Sequence, residues 1–208
     1  MTAIDDATDM RTARERGKAE RRQQIRDAAA VLIAERGLAG VRLEDLGKAV
    51  GISGPAVYRH FANKEAVLEE LLVGISEYLL SHGSAVVEAA PTPQAALESL
   101  VDFHIDFSLT KPALIRVQGR DLASLDDDAR RAVRQLQRRY VEIWVQVLRD
   151  LDPELSVEDA RIKAHAGFGA LNSTPHSSGR MTPLADAQRE RTRAVLCDMA
   201  LAALTPPH

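Results

Sequence analysis

The sequence has little that would point to covalent cross-links, to a membrane or to export. Its single cysteine, Cys197, excludes a disulfide framework and a cysteine-based zinc site. No apolar run approaches the roughly 18 residues that a membrane-spanning helix needs. The first apolar residues stand among Asp5, Asp6 and Asp9, which is not the pattern of a secretory signal. We therefore expect a soluble, cytoplasmic protein without a membrane partner.

Signals for β-strands are equally scarce. Aromatic residues make up 4% of the chain, and no segment sustains the alternation of apolar and polar residues that is typical of strands. The nine prolines lie at the edges of segments in which apolar residues recur at helical spacing, as in Ile25, Ala29 and Ile33. With 45% hydrophobic residues among 208, the chain can bury a normal core without cross-links. The pattern predicts an all-α fold.

Helix start and stop signals divide the chain into about nine helices that follow a flexible arm over residues 1–14. Gly51 is predicted to end the second helix. Asn63, Thr92 and Ser156 are predicted to cap later helices. The predicted helices cover about 15–35, 43–50, 54–61, 63–81, 92–109, 111–120, 126–151, 156–171 and 183–204.

Residues 43–61 have the pattern of a helix-turn-helix motif, which is two short helices joined by a tight turn. Gly51 can supply the left-handed bend of that turn without steric cost. Ser53 can cap the second helix, and Pro55 suits its first turn. The tip of that helix carries small residues, so it could approach base edges and phosphates closely. The inward-facing residues of the motif are Leu43, Leu46, Val50, Ile52, Val57 and Phe61.

The formal net charge of −3 hides an uneven distribution along the chain. Residues 11–64 contain 12 Lys/Arg against 6 Asp/Glu, a net charge of +6, whereas residues 65–208 carry a net charge of −6. A basic N-terminal quarter predicts an anionic partner for that segment. The basic run over residues 11–26 is open to two interpretations, a solvated helix face or an arm that reaches the DNA backbone or minor groove.

The segment Ala56–Leu68, which reads AVYRHFANKEAVL, resembles the DNA-binding region of TetR-family transcriptional regulators. The specific part is the Tyr-x-His-Phe-x-x-Lys-Glu spacing that begins at Tyr58. The resemblance in detail covers about residues 18–70, and the remainder agrees only in length and helical character. It implies an N-terminal three-helix helix-turn-helix domain over residues 15–64. It also implies a C-terminal helical bundle domain over residues 65–208 that binds an effector and dimerises.

The resemblance further implies a ligand-responsive transcriptional regulator. We expect a repressor that binds a near-palindromic double-stranded DNA operator as a homodimer. A small hydrophobic effector would release it, and acyl-CoA-like compounds are among the candidates. The last two helices would form the seam between subunits, with apolar contacts from Leu184, Ala187, Ala194, Val195 and Met199.

The family's DNA contacts carry over onto eight positions. In the family pattern, Tyr58, His60 and Lys64 correspond to phosphate contacts. Arg42 stands where the family usually has a threonine that caps the second helix; it can reach a phosphate but cannot cap in the same way. Gly47 replaces the usual alanine, which costs about 1 kcal/mol of helix propensity and indicates tight packing. The full predicted set, including the residues that would face the groove, is Arg42, Ser53, Gly54, Ala56, Tyr58, Arg59, His60 and Lys64.

Aromatic and polar residues on the helices that border the effector cavity in the family's layout form the predicted ligand site, although aromatic residues such as Phe107, Tyr140 and Trp144 are more often core than ligand contacts. Asp102 and Asp106 flank His104 but lie on the far side of its helix. We therefore expect His104 to line a pocket or to lie in the core rather than to bind metal. The loop over residues 172–179 could be an ordinary polar loop, or a rim that closes the pocket or contacts the partner subunit. The predicted ligand site comprises Phe103, His104, Phe107, Arg116, Tyr140, Trp144, His165, Phe168 and Asn172.

Signatures of catalysis are missing from the sequence. There is no nucleophile elbow, no phosphate-cradling loop and no pair of catalytic carboxylates, so we expect neither an enzyme nor a cofactor. Two alternatives stay open: a helical enzyme that happens to carry a helix-turn-helix, and a DNA-architecture protein without sequence preference. Binding to a duplex from its own promoter region would argue against the first alternative. A specificity ratio near one would favour the second.

Overall fold

The computed structural model describes residues 3–173 and 185–205, with side chains from residue 14 onward. Within those residues the chain forms nine α-helices and no strand, which confirms the all-α prediction. Two short 3₁₀ helices, Leu38–Gly40 and Leu122–Ser124, follow α1 and α6. The helices are α1 (Ala3–Arg36), α2 (Leu43–Ala49), α3 (Gly54–Val57), α4 (Lys64–Glu88), α5 (Pro93–Thr110), α6 (Pro112–Asp121), α7 (Asp127–Leu151), α8 (Val157–Leu171) and α9 (Asp186–Leu204).

The chain divides into two compact units, Met1–Leu71 and Leu72–His208. The division falls inside α4 rather than at residue 64, because the first turns of α4 contribute the buried Val67 and Leu68 to the smaller unit. In the larger unit α7 packs against α5 and α8, and α9 packs against the same two helices. None of the described helices is long and apolar enough to cross a membrane.

The first helix begins far earlier than the sequence pattern suggested. α1 starts at Ala3, so the prediction of a flexible arm over residues 1–14 is wrong for residues 3–14. One feature of the sequence agrees with the longer helix: no glycine or proline, the residues least favourable to a helix interior, occurs before Gly17.

The helix-turn-helix forms as predicted, but its second helix is shorter. α3 covers only Gly54–Val57 and continues as a turn, where helix to about Phe61 was expected. The predicted Ser53 side-chain cap is also absent. Its usual targets are the second and third N–H groups of the helix. Here Pro55 has no N–H, and the N–H of Ala56 donates to the Ser53 carbonyl at 2.9 Å.

Later helix starts follow the capping signals in the sequence. The side-chain oxygen of Asn63 accepts the N–H of Ala66 at 2.7 Å. Thr92 Oγ1 accepts the N–H of Ala95 at 3.2 Å, and Ser156 Oγ accepts that of Asp159 at 3.0 Å. These three predicted caps are confirmed. The predicted start of the last helix at Pro183, and most of the loop that precedes it, lie outside the described residues.

The turn of the helix-turn-helix is built on the absence of a side chain at Gly47. A Cβ there would lie 2.9 Å from the carbonyl oxygen of Ile52 and 3.0 Å from Cγ2 of the fully buried Val57. The Ile52 N–H in turn donates to the Gly47 carbonyl at 2.9 Å. Gly51 completes the turn with a φ of 71°, in the left-handed region. Tight packing at Gly47 is therefore confirmed.

Replacing Gly47 with alanine should lower the free energy of unfolding of the smaller unit by about 1–3 kcal/mol, because the new methyl group must displace α3 from α2. Urea unfolding followed by circular dichroism measures this. Gly17→Ala is the matched control: a Cβ at Gly17 meets nothing within 4 Å, so alanine should stabilise α1 by about 0.5–1 kcal/mol. Equal stabilisation by both substitutions would contradict the close approach.

Candidate DNA-binding surface and ligand pocket

A mainly basic groove runs between the middle of α1, residues 14–21, and the end of the helix-turn-helix. Arg14, Lys18 and Arg21 line it from α1, and Arg59 and His60 line it from the turn after α3. The pKa of His60 lies below its ordinary value, first because of burial and then because of the cations around it. The groove therefore has the electrostatic character of a phosphate-binding surface.

The exposed tip of α3 carries the residues predicted to face the DNA groove. Ser53 and Arg59 are exposed, while Gly54 and Ala56 are half-buried. A Cβ at Gly54 would lie 3.2 Å from Cγ of Glu44, so a larger residue would crowd α2. The tip thus presents only small groups, which leaves room for base edges, and the guanidinium of Arg59 follows in the turn after α3.

Tyr58 is 53% exposed, but its hydroxyl is not free. It donates to Glu44 Oε1 at 3.2 Å, and the negative charge of Glu44 raises the pKa of Tyr58. A phosphate contact by Tyr58 would have to replace this hydrogen bond. Arg42, at the start of α2, is also exposed. Its backbone N–H donates to Asp45 Oδ2 at 3.0 Å, and this hydrogen bond stabilises the start of α2 in place of a threonine side-chain cap.

The side chain of Lys64 makes a hydrogen bond within the protein. Its Nζ donates to the carbonyl oxygen of Leu38 at 3.0 Å, at the 3₁₀ helix that follows α1. An ammonium group has three donors, so this contact orients the side chain and leaves donors for another acceptor. The structure therefore gives Lys64 a structural contact that the sequence did not indicate.

Arg22 and Arg26 form a cluster with Glu70 that sequence reasoning missed. Arg22 Nε lies 2.7 Å from Glu70 Oε2, and Arg26 Nη1 lies 2.8 Å from Glu70 Oε1. Arg22 also donates to the His60 carbonyl and stacks 4.2 Å from the centre of the Phe61 ring. These arginines therefore hold the DNA-binding segment against α1 and α4. The signal available in the sequence was their spacing of four residues on one helix face.

The larger unit contains a cavity of about 290 Å³. Five of the nine predicted ligand-site residues line it: His104, Tyr140, His165, Phe168 and Asn172. The other seven lining residues were not predicted. Helical spacing was an available signal for Gln137, which is three residues before the predicted Tyr140 on α7, and it relates Gln118 and Gly119 to Ile115 on α6. The missed lining residues are Ser76, Leu79, Ile115, Gln118, Gly119, Gln137 and Val141.

Four predicted ligand residues do not line this cavity. Phe103 and Phe107 are one turn apart on α5, and both rings contact Tyr78 of α4. The centre of the Phe107 ring also lies 6.4 Å from that of His104, outside the lining. Trp144 is fully buried one turn beyond Tyr140 and forms the layer behind the cavity, with its ring centre 5.0 Å from that of Phe168. Arg116 is half-buried and likewise outside the lining. Phe107 and Trp144 share a helix face with the lining residues His104 and Tyr140. Helix periodicity alone therefore does not decide which side chains reach the cavity.

Three polar side chains meet in the wall of the cavity. His104 Nδ1 lies 3.1 Å from the Tyr140 hydroxyl, and His104 Nε2 lies 3.2 Å from Asn172 Oδ1. Burial lowers the pKa of His104 to about 4, against an opposing effect of the Asn172 hydrogen bond, so the imidazole is neutral at neutral pH. Burial also raises the pKa of Tyr140. The expectation of a pocket-lining histidine thus agrees with the structure.

The acidic neighbours of His104 have another partner. Arg193 of α9 forms ion pairs with both Asp102 and Asp106 on the outer face of α5, at 3.0 Å for Asp106. No group of three or more potential metal ligands occurs within the described residues. The two carboxylates therefore fasten α9 to α5.

The outer face of α8 and α9 exposes large apolar side chains. Ile162 of α8 is 61% exposed, and Val195 and Met199 of α9 are 52% and 55% exposed. Leu196, Ala200 and Leu204 form the buried side of α9. Of the predicted seam residues, Ala187 and Ala194 are also exposed, whereas Leu184 lies outside the described residues.

Two family models match the chain. The model described as bacterial regulatory proteins, tetR family, matches residues 25–71, and the tetracyclin repressor-like C-terminal domain matches residues 90–203. The second match alone covers more than half of the chain. The chain belongs to the TetR family and is a ligand-responsive, DNA-binding transcriptional regulator rather than an enzyme.

The chain is also similar to individual proteins, among them a transcriptional repressor and a nucleoid occlusion factor. The HTH-type transcriptional repressor KstR2 of Rhodococcus jostii (strain RHA1) is 30% identical over 151 residues, which is 71% of this chain and 71% of that protein. The nucleoid occlusion factor SlmA of Aliivibrio fischeri (strain MJ11) is 29% identical over 135 residues, 64% of this chain and 69% of that protein.

Solved structures share the fold. The ketosteroid transcriptional regulator KstR2 of Mycobacterium tuberculosis superposes with a TM-score of 0.73 at 22% identity, over 90% of this chain and 96% of that one. The TetR-family regulator PfmR of Thermus thermophilus gives a TM-score of 0.73 at 23% identity, over 88% of this chain and 100% of that one.

Replacing Gly83 with alanine should disturb the cavity wall, because a Cβ at Gly83 would lie 2.5 Å from Cε2 of Tyr140. The Tyr140 ring must move, so its hydrogen bond to His104 should weaken and the environment of Trp144 should change. Fluorescence of Trp144, the single tryptophan, measures this. Gly74→Ala on the same helix is the control, since a Cβ there meets nothing within 4 Å. An unchanged spectrum for Gly83→Ala would contradict the contact.

Proposed function

We propose that this protein is a cytoplasmic repressor that binds a near-palindromic operator as a homodimer and is released by a small hydrophobic molecule. The proposal rests on the presence of two sites in one chain. The larger unit contains a cavity, and the smaller unit has a helix tip of small residues beside a basic groove. Relatives named as transcriptional repressors support the direction of regulation. The release step requires that the effector bind more tightly to a conformer that does not bind the operator.

The proposed DNA contacts divide into two groups. Ser53, Gly54, Ala56 and Arg59 face the major groove, because the tip of α3 is exposed and free of bulk. Phosphate contacts come from the residues around that tip, which fix orientation rather than sequence. These are Arg42, Tyr58, His60 and Lys64.

The proposed homodimer forms through the exposed apolar face of α8 and α9. Ile162, Val195 and Met199 supply large apolar surface that a monomer would leave in water. Two α3 tips related by a two-fold axis would read half-sites about 34 Å apart, which predicts the near-palindromic operator.

The proposed effector is hydrophobic because Leu79, Ile115, Val141 and Phe168 contribute apolar surface to the cavity. One solved relative is named a ketosteroid transcriptional regulator, and that name supports a hydrophobic ligand class here. In an acyl-CoA-like compound, the acyl chain would be the part that matches this apolar surface.

Operator binding should distinguish Tyr58 from Arg59. In gel shifts with a duplex from the gene's own promoter region, Tyr58→Phe should weaken binding to specific and random duplexes alike, by about three- to tenfold, because one hydroxyl donor to phosphate is lost. Arg59→Ala should weaken specific binding more than random binding, because its guanidinium faces base edges.

Tyr78→Phe is the matched control for loss of a hydroxyl, since Tyr78 is exposed on the larger unit. A change in the preferred base with Tyr58→Phe would contradict its assignment to phosphate. Equal affinity of the unsubstituted protein for promoter and random duplexes would instead favour a DNA-architecture protein.

The apolar face should control assembly. The double substitution Ile162→Glu and Met199→Glu should convert a dimer into a monomer in light scattering after size-exclusion chromatography, because two unpaired carboxylates per subunit would be buried at the seam. Val31→Glu, at a residue 43% exposed on the smaller unit, is the matched control and should leave the dimer intact. A dimer that survives the double substitution would exclude this face as the seam.

A further inference from the structure

The polar corner of the cavity restricts the chemistry of the ligand more sharply than its apolar walls do. His104, Tyr140 and Asn172 form a continuous chain of hydrogen bonds, with His104 in the centre. His104 is 2% exposed, and Tyr140 is 5% exposed, so bulk water cannot reorganise this chain freely. The directions of its hydrogen bonds therefore decide which groups the cavity offers to a ligand.

The direction of each hydrogen bond follows from the neutral state of His104. A neutral imidazole has one donor and one acceptor nitrogen. Nε2 lies 3.2 Å from Asn172 Oδ1, which can only accept, so Nε2 carries the proton and donates. Nδ1 is then the acceptor, and the Tyr140 hydroxyl donates to it over 3.1 Å.

This arrangement uses the Tyr140 proton and the Asn172 carbonyl oxygen within the wall. The group left over at the Asn172 end of the chain is the side-chain NH₂, which has two donors and no acceptor, while the Tyr140 oxygen at the other end keeps acceptor lone pairs. Asn172 also lines the cavity and caps the C-terminus of α8. A ligand group at the Asn172 end of the chain must therefore be a hydrogen-bond acceptor.

The charge of the lining indicates which kind of acceptor. Among the described residues that line the cavity there is no lysine, arginine, aspartate or glutamate, and His165 is exposed. Burying an anion in such a lining would cost far more than burying a carbonyl group. An uncharged acceptor is thus favoured over a carboxylate.

We propose that the cavity binds an uncharged, mainly apolar molecule whose ketone or ester carbonyl oxygen accepts a hydrogen bond from the Asn172 side-chain amide. This inference rests on the proposed function only where it treats the ligand as the molecule that releases the protein from DNA. The binding itself is a property of the larger unit and is testable without DNA.

The test uses the full-length protein and the fluorescence of Trp144, which lies directly behind the cavity. The probes are methyl octanoate, an uncharged ester, and octanoate, the corresponding anion without the methyl group. Methyl octanoate should change the fluorescence saturably and bind at least about tenfold more tightly than octanoate. Asn172→Ala should weaken ester binding by about three- to tenfold, the effect of one lost hydrogen bond.

Gln146→Ala is the matched control for loss of an amide. Gln146 lies on α7 near Trp144 but is exposed and donates to Asp150 at 2.7 Å, so this substitution should leave ester affinity unchanged. Asn172→Asp, which exchanges the NH₂ donors for a carboxylate, should weaken ester binding at least as much as Asn172→Ala. Circular dichroism melts of both Asn172 variants confirm that α8 is retained.

Three results would overturn the inference: octanoate binding as tightly as the ester, no saturable change with the ester, or Asn172 variants that melt normally and bind the ester unchanged. Preferential ester binding that leaves operator binding intact would uphold the ligand class and refute the proposed release from DNA. Failure of operator binding by itself leaves the fluorescence result standing, so the two proposals fail separately.

Discussion

The close approach of α2 to the segment that enters α3 determines the geometry of the DNA-binding unit. Gly47 leaves no space for a Cβ beside the Ile52 carbonyl and Val57, and this contact brings the second helix of the motif tightly onto the first. The exposed tip of α3 and the turn that carries Arg59 and His60 take their positions from it. A helix propensity cost of about 1 kcal/mol at Gly47 is thus offset by packing that alanine could not provide.

The larger unit uses the same device for another purpose. Gly83 of α4 lies so close to Tyr140 of α7 that a Cβ would overlap the ring. Tyr140 is thereby held against His104, with Trp144 and Phe168 packed around both rings. The outcome is a closely packed polar corner in a cavity whose lining contains no lysine, arginine, aspartate or glutamate among the described residues. Such a corner selects ligands by hydrogen-bond direction, because its groups cannot turn toward water.

Some of the basic residues in the N-terminal quarter form contacts within the protein, and others remain on its surface; the net charge does not show this division. The basic excess of residues 11–64 predicted an anionic partner, yet part of that excess is used internally. Arg21 donates to the Val50 carbonyl, and Arg22 and Arg26 share the Glu70 carboxylate. What remains for DNA is the groove that includes Arg14 and Lys18 of α1. A chain with a net charge of −3 can therefore belong to a DNA-binding family, because a local basic surface is enough to attract DNA.

The all-α class, the helix-turn-helix and the caps at Asn63, Thr92 and Ser156 could be predicted from local pattern, because they depend on spacing within a few residues. The start of α1 could not, because helix propensity continues past a charged segment. Which residues line the cavity, and which stand behind it as Trp144 does, depends on how the helices pack. The tertiary structure also revealed the partners of Glu70 and Lys64. Such contacts join residues that lie far apart in the chain, and helix rotation and packing, which local pattern does not encode, bring them together.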